Sequence, residues 1–470
     1  MILHRFELVL KENAAKSLFN YIKNIPKLEL RPNSDTNVVF IYFILQMLIP
    51  FFLCCKIDYY VQFTYVLPHL LNILLLLYFI FRNNFSSISL NIRNVILSFL
   101  LLFYLVSTLC NGLIRSSLFD CIILLVQLLL FYTFDVCKVN LEILFKKLSF
   151  HFRWIVGLHL IVGILSYNST ETLFTDKIIG IFINPAIFSI YLTYFIPFLL
   201  INYDKRKNRK IFNIDILLIF LVGIISIYNG IRIAIILNLL ILQTYMYIRH
   251  RYFLIKKKEI IAAVFVAVSV LCFSFKTVST KGHFLIYKIS LIAIKQNLIF
   301  GLGVNSFPAK YNEYQAKYFS VARPISEKLI ADGYFYAHSE LVEMVFEIGV
   351  IGFLIMGYIA YVLHRFYTDT NYKDNLATTF FRIILLPILF TYMFWYPFSQ
   401  NEIYNLFFLF FLFFKSNYES KILKNIAIQK SQSYVIKIFL VIVTASVLIF
   451  SILYSSALFQ WKKQGFLIKL

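Results

Sequence analysis

Apolar runs of about 20 residues, the length of a membrane-spanning helix, recur along almost the whole chain. A backbone in lipid must satisfy its own hydrogen bonds, which favours helices over irregular chain. The chain has 470 residues and 60% of them are hydrophobic, which is more apolar surface than a soluble domain can bury. The sequence therefore predicts an all-α polytopic membrane protein.

The positions of these runs predict about 12–13 transmembrane helices. They divide the chain into a cytoplasmic arm at 1–37, transmembrane helices 1–9 at 38–275, one large extracytoplasmic loop at 276–340, transmembrane helices 10–13 at 341–454 and a tail at 455–470. The predicted spans are Val38–Cys55, Val61–Phe81, Val95–Ile114, Leu118–Phe134, Trp154–Tyr167, Ile178–Ile201, Ile214–Tyr228, Ile233–Ile248, Ile260–Phe275, Leu341–Leu363, Phe380–Tyr396, Ile403–Phe414 and Val435–Tyr454.

Lysine and arginine are concentrated in alternate loops. Basic clusters lie at 205–210, 249–258 and 415–430, whereas the short loops between the other span ends hold few basic residues. The positive-inside rule places the clusters in the cytoplasm and the loop 276–340 on the opposite side of the membrane. The formal net charge of +22 is thus explained by topology and contact with membrane lipids, and we expect no nucleic-acid partner.

The six cysteines give no sign of a metal site or a disulfide framework. They lie in or beside apolar runs, and none lies in the large loop. Their spacing does not match that of metal ligands, so we interpret them as small hydrophobic residues of the membrane helices. They are Cys54, Cys55, Cys110, Cys121, Cys137 and Cys272.

The large loop is the natural place for chemistry because it is the longest polar stretch among the spans. His338 lies at its far end, where the next apolar run begins. A neutral imidazole accepts a proton from a hydroxyl near pH 7, so His338 is either a general base or an inert loop histidine. Glu343 and Glu347 follow at helical spacing, and either could orient His338 or balance a cation.

Two further features lie at the ends of apolar runs. Arg232 occupies a very short break on the same side as the loop. Its guanidinium suits a diphosphate by its two-pronged geometry, and a snorkelling anchor is an equal alternative. Asn184 and Pro185 interrupt another run, which indicates either a tolerated kink or a break that lines a cavity.

The first part of the loop, from Lys281 to Ile299, has the periodicity of an amphipathic helix and is predicted to lie along the outer leaflet. Gly301 and Gly303 then permit a sharp turn. Because no strand is predicted before them, this pair of glycines does not indicate a nucleotide-binding unit.

Four segments resemble the O-antigen ligase and polymerase family. His338-Ser339 is followed, after nine residues, by Gly349-Val350-Ile351-Gly352, which is the spacing of the family's C-terminal signature. The resemblance runs from Ile178 to Leu363. Its other three segments are Gly180–Pro185, Gly230-Ile231-Arg232 and Leu298–Phe307, the last containing Gly301-Leu302-Gly303.

The resemblance implies a GT-C-like glycosyltransferase of the bacterial inner membrane with its large loop in the periplasm. The implied donor is a glycan on undecaprenyl diphosphate, and the acceptor is a lipid A-core sugar in a ligase or another lipid-linked glycan in a polymerase. His338 would be the catalytic base and Arg232 would hold the diphosphate. Transfer would invert the anomeric carbon and need neither a metal nor another cofactor.

One position departs from the family pattern. The family usually has an arginine where this chain has His283, four residues before Tyr287. His283 is therefore a candidate for the second diphosphate ligand, and Lys281, Lys288 and Arg323 are alternatives. The residues expected to support the site are Asn184, Gly301, Gly303, Glu343 and Glu347.

The acceptor stays open, with a slight preference for a ligase over a polymerase. A transporter of lipid-linked glycan is the rival from another class, and it predicts paired helix breaks in two matching halves. The sequence has one such break, at Asn184-Pro185, and no matching second break. A scaffold for polysaccharide assembly is a third interpretation.

Overall fold

The fold is given by a computed structural model that describes most of the chain in pieces. The predicted spans Val95–Ile114 and Ile260–Phe275, the first 33 residues and the tail after Tyr454 lie outside the described residues. The described residues are 34–52, 57–82, 87–91, 141–167, 177–180, 182, 184–206, 213–249, 259, 277–303, 306–334, 336–368, 376–396, 403–404, 406–410 and 422–427, with short pieces between 123 and 139 and between 433 and 449.

The described residues are mostly helical. The helices of the membrane body are α1 (Ser34–Phe52), α2 (Ile57–Arg82), α3 (Leu141–Tyr167), α4 (Pro185–Thr193), α5 (Ile196–Arg206), α6 (Ile214–Tyr228) and α7 (Arg232–Arg249). The loop and the segments after it contain α8 (Thr277–Gln296), α9 (Phe307–Phe319), α10 (Ile325–Lys328), α11 (Glu340–Ile348), α12 (Val350–Thr368) and α13 (Leu376–Phe394).

Within the described part of the chain, three helical segments are long and apolar enough to cross a membrane: Glu142–Leu165, Pro185–Asp204 and Arg232–Arg249. Shorter apolar helices occur within α1, α2, α6 and α13. These segments support a membrane protein with several helices in the bilayer. The total of about 12–13 spans stays a prediction from the apolar periodicity.

Aromatic side chains pack the centre of the membrane body. Phe198 of α5 lies 4.1 Å from Phe380 of α13 and 4.5 Å from Phe152 of α3, measured between ring centroids. Phe145 packs on both Phe198 and Phe380. Lipid tails are as apolar as these rings, so close van der Waals contact rather than exclusion of water holds such helices together.

Polar side chains join the same helices at the ends that the charge count predicts to be cytoplasmic. Arg153 of α3 and Asp215 of α6 form a buried ion pair at 3.4 Å. Arg249 at the end of α7 pairs with Asp204 of α5 at 3.0 Å. Leaving either partner of the buried Arg153–Asp215 pair alone would be costly, so this pair fixes how α3 and α6 are aligned.

The large loop is a folded layer with its own apolar core. α8, α9 and α11 pack together, and the ring of Phe307 stacks on that of Tyr311 with centroids 5.1 Å apart. The helix predicted from Lys281 to Ile299 is found at Thr277–Gln296. The fully buried members of this core, at 3% exposure or less, are Leu285, Ile286, Ile289, Ala293, Phe307, Tyr311, Ala337, Val345 and Phe346.

Three predicted span boundaries were wrong. The span Trp154–Tyr167 is only the second half of α3, which begins at Leu141 because charged residues extend the helix, with a Glu142–Lys146 ion pair at 2.7 Å. The span Ile178–Ile201 begins as a helix only at Pro185, because Asn184 caps it there. The span Leu341–Leu363 is two helices, α11 and α12, divided at Gly349.

One small β-sheet departs from the all-α prediction. β1 (Ser87–Asn91) and β2 (Ile422–Ala427) pair antiparallel, with Ser89 opposite Asn425. β2 lies within the basic cluster 415–430, so the pairing brings the segment after α2 beside this cluster. These two short segments form strands because each supplies hydrogen-bond partners for the backbone N–H and C=O groups of the other.

Candidate active site

Arg232, His283 and His338 line one cavity of about 410 Å³. They come from three parts of the chain: the start of α7, the second turn of α8 and the segment before α11. Apolar residues of α4 form part of the wall, and aromatic residues after α13 form another. The cavity therefore lies between the membrane body and the folded loop.

Arg232 is positioned by a tight turn between α6 and α7. Gly230 has φ 63°, which glycine adopts without steric cost, and the turn lets α7 begin at Arg232. The Nη1 of Arg232 donates to Thr280 Oγ1 at 2.7 Å. This bond ties the start of α7 to α8, the helix that carries His283.

Asn229 fixes the same turn from the other side. Its side-chain amide donates to the Ile178 carbonyl at 2.8 Å, and its Oδ1 accepts from the Ile178 N–H at 2.9 Å. Its Nδ2 also donates to Ser189 Oγ at 3.0 Å. The sequence interpretation did not select Asn229, although an asparagine in a very short break between apolar runs was the available signal.

His338 has a strained backbone conformation just before the start of α11. Its φ is 54°, and it is the one non-glycine residue with positive φ among the residues described. Its carbonyl accepts from Tyr287 Oη at 3.2 Å. The next residue, Ser339, caps α11 and donates its hydroxyl to the Met393 carbonyl at 2.7 Å. The fold thus fixes the backbone on both sides of the imidazole.

The rings of His283 and His338 are neighbours, with centroids 4.4 Å apart and planes 75° apart. Burial, and then the charge of Arg232, lower the pKa of His283. Burial, and then His283, lower the pKa of His338 to about 4. Both imidazoles are therefore neutral near pH 7, and a neutral imidazole can accept a proton.

Aromatic rings surround His338. Its ring centroid lies 5.0 Å from that of Tyr396 and 6.1 Å from that of Tyr334, and Tyr336 stacks on Tyr396. Tyr396 and Trp395 line the cavity although they follow α13, far along the chain. The sequence interpretation missed them, and the cluster of aromatic residues at the end of an apolar run was the signal for them.

Glu343 and Glu347 both accept backbone hydrogen bonds. Glu343 Oε2 accepts from the Ala337 N–H at 3.0 Å, next to His338. Glu347 Oε1 accepts from the Phe307 N–H at 3.2 Å, at the start of α9. Neither carboxylate is among the lining residues of the cavity.

Gly301 and Gly303 join the loop to α11 by backbone contact. Gly301 has φ 67° and Gly303 has φ 102°. The Gly303 N–H donates to the Glu347 carbonyl at 2.9 Å, and the Leu302 N–H donates to the Phe346 carbonyl at 3.0 Å. Gly349, also at positive φ, lies against the Ile299 carbonyl. The two glycine motifs of the sequence are therefore partners in one backbone junction.

The other candidate cations are placed elsewhere. Lys288 pairs with Glu327 at 2.9 Å, and the guanidinium of Arg323 lies 4.2 Å above the ring of Tyr318. Lys281 is exposed on α8, and none of the three is among the lining residues of the cavity. Asn184 acts as a helix cap, its Oδ1 accepting from the Ala186 N–H at 2.8 Å, while Ala186 itself lines the cavity.

No group of three or more histidine, cysteine or acidic residues is arranged to hold a metal ion in the described part of the chain. The polar groups of the cavity are instead one guanidinium, two imidazoles and tyrosine hydroxyls. This set suits an anion beside a hydroxyl group that must lose a proton.

Comparison with protein families matches residues 185–357 to the family described as O-antigen ligase. This segment contains Arg232, His283 and His338 and ends before the aromatic residues that follow α13. No curated protein matches the chain. Residues 185–357 are thus similar to the O-antigen ligase family, and this match supports a membrane enzyme of the O-antigen ligase and polymerase type.

Proposed function

We propose that this protein transfers a glycan from a polyprenyl diphosphate, of the undecaprenyl type, to a sugar hydroxyl at the periplasmic face of the bacterial inner membrane. The observation that carries the proposal is that Arg232 and His338 line the same cavity. A guanidinium binds a diphosphate and an imidazole accepts a proton, so one site holds both groups that such a transfer needs.

In the proposed reaction His338 takes the proton of the acceptor hydroxyl. The hydroxyl oxygen attacks the anomeric carbon of the donor, and the bond from that carbon to the diphosphate oxygen breaks. The electron pair leaves on the diphosphate, where Arg232 stabilises the added negative charge. A single displacement of this kind inverts the anomeric carbon.

In this proposal the side chains of Arg232 and His338 carry the transfer without a metal ion. The leaving diphosphate is already a stable anion, so it needs charge stabilisation more than protonation. Tyr334, Trp395 and Tyr396 form an aromatic wall beside His338, as is common in sites that bind uncharged organic ligands. We therefore propose a transfer that uses no metal ion.

The identity of the acceptor distinguishes a ligase from a polymerase, two glycosyltransferases that use the same kind of donor. In a ligase the acceptor is a lipid A-core sugar, and in a polymerase it is a second lipid-linked glycan. We prefer the ligase because of the spacing from His338-Ser339 to Gly349 and Gly352. A transporter is less well supported, because a cavity with a base beside a cation is not needed to move a lipid.

A deletion strain complemented with the gene for this chain tests the proposal on a glycolipid gel. For a ligase we expect the strain without the gene to show bare core and free lipid-linked polymer. For a polymerase we expect a single repeat unit still attached to the core. Unchanged surface glycan in the deletion strain would contradict both, and accumulation of lipid-linked glycan on the cytoplasmic face would favour a transporter.

A further inference from the structure

His283 stands where it can share a bound anion with Arg232. Both residues line the cavity, and the charge of Arg232 acts on the His283 ring strongly enough to lower its pKa. Arg232 is oriented toward α8 by its bond to Thr280, which lies one turn before His283. An anion that enters between them meets one permanent cation and one group that can become a cation.

We infer that His283 takes up a proton when a diphosphate enters the cavity, so that the site holds two cations only while it is occupied. This inference rests on the proposed function, because it takes the diphosphate of the donor as the ligand. It assigns His283 a role that a fixed cation cannot have: its charge appears with the substrate and disappears with it.

The neighbouring groups explain why the proton comes only with the ligand. By itself the guanidinium of Arg232 disfavours a second positive charge on His283. The other titratable residues that line the cavity, Tyr334, His338 and Tyr396, are neutral near pH 7. A diphosphate reverses the sign of the local charge, and a nearby opposite charge favours the protonated imidazole.

The elements packed against the rest of α8 do not supply this countercharge. α9 contributes the phenol of Tyr311, and α11 contributes Glu343, whose carboxylate is bonded to the Ala337 N–H. On α8 itself Lys281 is exposed and Lys288 pairs with Glu327. Among the described residues, no carboxylate lines the cavity beside His283.

The contact with His338 decides which imidazole carries the proton. With ring centroids 4.4 Å apart, two imidazolium groups would repel each other, so the pair holds at most one proton until negative charge balances a second. Burial lowers the pKa of His338 to about 4, and His283 is the imidazole on which the charge of Arg232, the proposed diphosphate ligand, acts. The proton therefore goes to His283, and His338 remains available as the base.

The charges also balance during transfer. When the bond from the anomeric carbon to the diphosphate oxygen breaks, the diphosphate gains one negative charge. At the same time His338 gains the proton of the acceptor hydroxyl and one positive charge. The protonated His283 and Arg232 remain on the diphosphate, and release of the diphosphate lets His283 return its proton to solvent.

Binding of undecaprenyl diphosphate to the purified full-length protein in neutral-lipid nanodiscs tests the inference between pH 5.5 and 8. For the wild-type protein we expect affinity to fall as pH rises, approaching tenfold per pH unit, with uptake of about one proton per ligand. The ligand's own ionisation has the opposite effect, because a more negative diphosphate binds Arg232 more strongly. The proton uptake is read from calorimetry in buffers of different ionisation enthalpy.

Three variants complete the experiment. His283→Arg should bind undecaprenyl diphosphate at all these pH values with no proton uptake, because its cation is permanent. His283→Gln should bind undecaprenyl diphosphate weakly at every pH. His364→Gln, a control at an exposed position on α12, should behave like the wild type. Wild-type binding without proton uptake, or the same uptake in His283→Arg, would overturn the inference. Absence of binding to the wild type at every pH would instead overturn the proposed function, and this inference with it.

Discussion

The backbone of Gly301 lies directly against that of Glu347: a Cβ added to Gly301 would stand 2.3 Å from the Glu347 carbonyl oxygen. Gly301 belongs to the loop after α8, and Glu347 belongs to α11, the helix that follows His338. The Leu302 and Gly303 N–H groups also donate hydrogen bonds to this turn of α11. The junction therefore fixes the helix that begins two residues after His338.

Gly301→Ala should destabilise the junction. Its positive φ and the close carbonyl leave no space for a side chain, so we expect the free energy of unfolding to fall by about 2 kcal/mol or more. The measurement is the apparent melting temperature in detergent. Gly333→Ala is the matched control, because no atom lies within 4 Å of a Cβ added at that loop position, and its melting temperature should not change. Equal melting temperatures for both variants would show that the junction is not tight.

His338→Ala should insert in the membrane normally and lose glycan transfer by about 10²- to 10⁴-fold, the usual contribution of a general base. Since the pKa of His338 is about 4, the imidazole is neutral above that value. On the acid side, kcat/KM of the wild-type enzyme should therefore decline only when the pH falls toward 4. His364→Ala, at an exposed position outside the cavity, is the control. Transfer by His338→Ala at the wild-type rate would remove this residue from the mechanism.

Arg232→Lys should reduce transfer by about tenfold to a hundredfold, because one hydrogen bond to a charged group contributes about 1.5–3 kcal/mol. Lysine keeps the charge but cannot bond to two phosphate oxygens with a planar fork, and it loses the geometry that bonds to Thr280. The measurement is kcat/KM for the lipid-linked donor. Arg323→Lys, at an exposed position away from the cavity, should be active. If Arg232→Ala also transfers normally, Arg232 is only an interfacial anchor.

Glu343 is expected to position His338 without touching the substrate. Glu343→Leu leaves the Ala337 N–H without its acceptor, which costs about 1–3 kcal/mol and releases the strained backbone at His338. Transfer should fall in Glu343→Leu and largely return in Glu343→Gln, whose amide oxygen can accept the same bond. Glu313→Leu, on the exposed side of α9, is the control. No difference between the leucine and glutamine variants would mean that the bond to Ala337 does not position the imidazole.

Chelation should leave transfer unchanged. The proposed step uses Arg232 to stabilise the diphosphate, so an excess of chelator should not reduce the rate. The assay is transfer by the purified protein with and without EDTA. Loss of transfer that added magnesium restores would contradict a metal-free mechanism.

The sequence alone determined the class of protein and the side of the membrane on which chemistry was expected. Apolar runs of membrane length indicate a protein that lies in the lipid bilayer. The distribution of lysine and arginine predicts on which side of the membrane each loop lies. His338, Arg232 and the two glycine motifs were selected because their spacing resembles that of a known family. These motifs can be recognised in the sequence because the residues of each motif are close together along the chain.

Only the tertiary structure decided which of these residues meet. It brought His283 beside His338, placed Lys288 and Arg323 in other contacts, and added Asn229 and Tyr396 to the site. Glu343 and Glu347 accept hydrogen bonds from the backbone N–H groups of Ala337 and Phe307. These relations depend on how α7, α8, α11 and α13 pack, and packing between helices far apart in the chain leaves no periodic signal in the order of residues.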